Sequence, residues 1–83
     1  MSNLKLLSPI TLKIDCKKGR CTVTCKQFDV FGVGETITEA FGDFMAFIEA
    51  DYHAYAEEDE NKLDKFAKEL ADLYRKTFAR EEI

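Results

Sequence analysis

The sequence predicts an α+β fold: a three-stranded antiparallel sheet followed by two helices, in the order β-β-β-α-α. Three observations predict it. Apolar and polar residues alternate across residues 10–16 and 21–26, on either side of a glycine-containing turn. A third apolar segment, residues 28–34, ends in a helix-capping pattern. Beyond it, two stretches repeat apolar residues at helical spacing.

The first strand is Ile10-Thr11-Leu12-Lys13-Ile14-Asp15-Cys16. Lys17-Lys18-Gly19-Arg20 makes the turn, with Gly19 free to take a positive φ. Cys21-Thr22-Val23-Thr24-Cys25-Lys26 returns. Paired as a hairpin, Ile10, Leu12, Ile14 and Cys16 share a face with Cys21, Val23 and Cys25. Thr11, Lys13, Asp15, Thr22, Thr24 and Lys26 share the other, which is the pattern of a sheet covered on one side. The third strand alternates weakly, since Phe28 and Val30 have one parity and Phe31 and Val33 the other. Gly32 and Gly34 predict a bulge there or a close approach of another backbone.

Thr36, with Glu39 three positions on, reads as a capping box. Ile37, Phe41, Phe44, Ile48, Tyr52 and Tyr55 then form one stripe, widened by Ala40 and Phe47. Phe41, Phe44 and Ile48 are expected to meet Leu12, Ile14 and Val23. The charged segment 57–61 breaks the pattern, and Asp59 or Asn61 can cap a second helix over about residues 61–80. Its stripe contains Leu63, Phe66, Leu70, Leu73, Tyr74 and Phe78. A single apolar sheet face is already occupied by the first helix. The second stripe is therefore expected to form the interface of a homodimer, with packing beside the first helix of the same chain as the alternative.

The chain has 83 residues, 46% hydrophobic and 34% charged, which suits one domain. No apolar run reaches membrane-spanning length, and the amino terminus does not read as a secretory signal, so a cytoplasmic location without a membrane is expected. Charge is segregated. Residues 1–26 have a net charge of +5, residues 27–61 of −10, and residues 62–83 of +1. The acidic middle disfavours contact with phosphates there and suits a basic partner. Within it, Glu39, Asp43, Glu49 and Asp51 are the candidate partner-binding residues. The basic hairpin is the alternative: Lys13, Lys17, Lys18, Arg20 and Lys26 can meet nucleic-acid phosphates. No aromatic is expected on that face, so base stacking is not.

No catalytic, metal or cofactor site is expected. Gly32-Val33-Gly34 lacks a third glycine and a lysine, and Glu35 and Glu39 repel an anion at the helix start. Cys16, Cys21 and Cys25 lack the spacing of zinc ligands and are expected to be free thiols in a reducing compartment. A Cys16–Cys21 disulfide is geometrically conceivable across the turn, but the expected compartment argues against it. His53, among carboxylates, has no nucleophile near it in sequence and reads as a surface residue.

The segment Phe31-Gly32-Val33-Gly34-Glu35-Thr36-Ile37-Thr38-Glu39-Ala40-Phe41 resembles the G-[DE]-T-x-x-E-A signature of the HicB-like antitoxin family, through Gly34, Glu35, Thr36, Glu39 and Ala40. The resemblance covers residues 10–56 and agrees in the order of elements. It implies a non-catalytic domain of partial ribonuclease-H-like type that masks a small, basic, RNA-cleaving toxin of the HicA kind. The stretch after Asn61 reads as one helix, so the resemblance does not extend to an appended DNA-binding module. A nuclease of that fold needs clustered carboxylates on the sheet, where these strands offer Asp15 and Asp29 alone.

Overall fold

The computed structural model describes residues 4–81. It is α+β, with strands β1 (Leu4–Leu6), β2 (Lys13–Lys17), β3 (Arg20–Cys25), β4 (Val30–Gly34) and β5 (Phe78–Arg80), and helices α1 (Ile37–Asp51) and α2 (Lys65–Thr77). A three-stranded antiparallel sheet, ordered β2-β3-β4, precedes the two helices as expected. The chain divides into two compact units. One holds Ile10–Ile48, and the other holds the described residues of Met1–Pro9 and Glu49–Ile83.

In the first unit, Lys17 pairs with Arg20 across a two-residue turn in which Lys18 (φ 25°) and Gly19 (φ 74°) both take positive φ. Such a turn matches the right-handed twist of its strands. Its register sets Ile14 opposite Val23 and Cys16 opposite Cys21, so the apolar residues of both strands do share a face. Cys16 and Cys21 are joined in a disulfide and Cys25 is a buried free thiol. This corrects the expectation of three free thiols. Directly opposed cysteines in an antiparallel pair lie within bonding reach, and that proximity is a property of the register.

Helix α1 opens on a side-chain cap: the Glu39 N–H donates to Thr36 Oγ1 at 3.1 Å, and the Ala40 N–H to the Thr36 carbonyl at 3.0 Å. The helix lies on β4. A Cβ on Gly32 would stand 2.2 Å from the Phe44 nitrogen, and one on Gly34 would stand 2.6 Å from the Ala40 nitrogen. The two glycines thus serve a close helix–strand approach rather than a bulge. Val23, Cys25, Ala40, Phe44 and Ile48 are fully buried. Seating on β4 has a cost at β2, all of whose residues are exposed. Ile14 is 50% exposed and Phe41 44%, so of the residues expected to meet in the core, Phe44, Ile48 and Val23 are inside while these two stay open.

In the second unit, a π-helical turn over Tyr52–Ala56 follows α1, closed by the Glu57 N–H on the Tyr52 carbonyl at 3.2 Å. A short 3-10 turn, Glu60–Lys62, is capped by Asp59. Helix α2 begins later than the sequence suggests, because Asp64 supplies its cap, accepting from the Ala67 N–H at 2.8 Å. It also ends earlier. Phe78–Arg80 is a strand paired antiparallel with Leu4–Leu6, and the sequence pattern predicts neither three-residue strand. Tyr74 and Phe78 are buried, which removes them from the expected dimer interface. Leu63, Leu70 and Leu73 are half-buried, and Phe66, 75% exposed, is the member of that stripe left in solvent.

Candidate interaction surfaces

The outer face of the sheet, opposite α1, is assembled by register. Lys13 pairs with Thr24, Asp15 with Thr22 and Lys17 with Arg20. Thr24 in turn pairs with Phe31, and Thr22 with Val33. Directly paired residues project to the same side, so this face carries Lys13, Lys17 and Arg20 around a row of threonines. Two shallow concavities lie on it. Thr11, Lys13, Thr24, Lys26 and Gln27 line one, and Asp15, Lys17, Lys18, Arg20 and Thr22 line the other. The five basic residues singled out in the sequence are therefore together on one face and its tip.

One expectation about this face is wrong. Phe31 lies on it, opposite Thr24, and is 57% exposed. The parity of β4 is decided by pairing with β3 and by the glycines that turn inward, and weak alternation within the strand itself does not reveal it. A side chain with a flat apolar surface thus stands among the hairpin's hydroxyls and lysines.

The acidic candidates have a different fate. Asp43 Oδ2 accepts from the Val33 N–H at 2.9 Å, holding the outer edge of β4. Asp51 Oδ2 accepts from the Tyr74 hydroxyl at 2.9 Å. Glu49 accepts from the Arg80 guanidinium. Glu39 is exposed near the start of α1, as is Glu35. Glu39 and Asp43 belong to the first unit, and Glu49 and Asp51 to the second.

Arg80 organises the second unit. Its Nε donates to Glu57 Oε2 at 3.0 Å, a second nitrogen to Glu57 Oε1, and its guanidinium lies 5.3 Å from the centre of the Tyr52 ring. The hydrogen bonds from Arg80, aided by that from His53 and opposed by partial burial, hold the Glu57 carboxyl below its usual range. Hydrogen bonds to Glu57 and Glu49 raise Arg80 further above its already high value. His53 Nδ1 is 3.1 Å from Glu57 Oε1 and points to solvent. This is a structural tie between the end of β5 and residues 49–57.

Comparison with known protein families, curated proteins and solved structures finds no match for the chain. Among the described residues, no helix is long and apolar enough to cross a membrane, and no group of three or more His, Cys, Asp or Glu residues could hold a metal ion.

Proposed function

We propose that the chain is a non-catalytic protein-binding module of the HicB type, working in the cytoplasm by masking a small, basic, RNA-cleaving toxin of the HicA kind. One observation carries the reading. The segment that resembles the HicB signature occupies the junction that shapes the β-β-β-α unit. Gly34 admits the helix backbone, Thr36 caps the helix through the Glu39 N–H, and Ala40 is fully buried under it. The acidic residues left in solvent there, Glu35 and Glu39, are the ones a basic partner would meet. Mixing the purified chain with a HicA-type ribonuclease tests this. The reading expects a stable complex that weakens with salt and weakens by about tenfold or more in the Glu35→Lys, Glu39→Lys double variant. Absence of a complex at micromolar concentrations rejects it.

Phe31 favours a second reading, in which the outer face binds single-stranded nucleic acid through Lys13, Lys17, Lys18, Arg20 and Lys26. Stacking of one base on an aromatic side chain contributes about 1–3 kcal/mol. On this reading, anisotropy with a labelled RNA oligonucleotide shows binding that falls steeply with salt and drops in Phe31→Ala. Binding indifferent to Phe31→Ala and to salt removes it.

A further inference from the structure

The sheet of the first unit has two edges, and they are treated differently. The β4 edge is tied to α1 by Asp43 on the Val33 N–H. The β2 edge is open, and every residue of β2 is exposed. The hairpin turn fixes which backbone groups face outward there. A two-residue turn makes its closing pair, Lys17 and Arg20, a hydrogen-bonded pair, and such pairs recur at every second position. Lys13, Asp15 and Lys17 therefore spend their backbone groups on β3, while Ile14 and Cys16 direct theirs off the free edge. Ile14 also turns a half-exposed apolar side chain to the helix-covered face.

We propose that this edge docks a second copy of the chain, β2 against β2, antiparallel about a two-fold axis at Ile14. In that register the two Ile14 residues exchange both backbone hydrogen bonds and cover each other's side chains. Lys13 stands opposite Asp15 of the second copy, and Asp15 opposite its Lys13. Among the described residues, no ion pair of the chain itself involves Lys13 or Asp15. The charges select this register. Moving the axis to Asp15 sets Asp15 against Asp15 and Lys13 against Lys17, and like charges directly opposed destabilise a sheet. Moving it to Cys16 restores opposite charges but runs the pairing off the strand and leaves Ile14 against Lys18. Lysines on an edge strand ordinarily discourage pairing. Here the alternation Lys-Ile-Asp-Cys-Lys makes the edge complementary to itself. The two three-stranded sheets become one of six strands, and an isologous contact of this kind closes without exposing a new edge at its centre. The proposal is independent of the toxin-masking reading and moves the dimer contact from α2 to β2.

Sedimentation of the full chain, with charge variants, tests it. The wild type is expected to be a dimer at micromolar concentration. Lys13→Glu should weaken it by about tenfold or more, Lys13→Glu with Asp15→Lys should restore it, and Lys26→Glu, a like change away from the edge, should leave it alone. Amide exchange on the wild type gives a reading that needs no variant, with protection at Ile14 rising with concentration. A monomer throughout the micromolar range, a dimer unaffected by Lys13→Glu, or an Ile14 amide unprotected where dimer is present would each overturn the proposal.

Discussion

Gly32 carries a hydrogen where any other residue would place a carbon 2.2 Å from the Phe44 nitrogen and 2.4 Å from the Ala40 carbonyl oxygen. Both obstacles are helix backbone, so relief requires moving α1. Gly32→Ala should therefore destabilise by about 1–3 kcal/mol or more, measured as a lower urea midpoint, whereas Ala is tolerated at Gly42, where nothing lies near. Thr36→Ala removes the acceptor for the Glu39 N–H and should lose about 0.5–2 kcal/mol. Glu57 makes stability depend on pH. Its folded-state pKa lies below the usual 4.5, so its ion pair stabilises above that value and the contribution is lost as pH falls through the depressed one. Denaturation of the wild type and Glu57→Gln should differ near neutral pH and converge as pH falls through the depressed value.

At the scale of elements, α1 on β4 is the contact that makes the first unit. Phe44, fully buried, should cost about 3–5 kcal/mol when changed to Ala, enough to unfold much of a small domain. The hairpin and α1 were legible because each has a period: two along Ile10–Cys16, and three or four along Ala40–Ile48, with Gly19 and Thr36 marking the ends. What lay outside the sequence has physical causes. Three-residue strands such as β1 and β5 are too short for a period, and Phe78 falls at helical spacing by coincidence. Between residues 57 and 64 three residues, Asp59, Asn61 and Asp64, are of a type that caps a helix, so composition could not choose among them. The side of the sheet on which Phe31 stands follows from its partner Thr24, a pairing across the sheet. The candidate acids were legible as charge. Their partners were not, since Tyr74 is 23 residues from Asp51 and Arg80 is 31 from Glu49.

Over the whole molecule, charge and shape assign different work to different surfaces. Basic side chains and Phe31 gather on the outer face of one sheet, the exposed acids Glu35 and Glu39 stand at the start of α1, and the remaining candidate acids are held by Val33, Arg80 and Tyr74. Binding is the function proposed for these surfaces, and a basic ribonuclease is the partner proposed. The most direct test is RNA cleavage by a HicA-type ribonuclease, measured with increasing amounts of this chain. Cleavage should fall to background near stoichiometric addition, and Glu35→Lys with Glu39→Lys should restore it. Cleavage that continues undiminished in excess chain would rule out toxin masking.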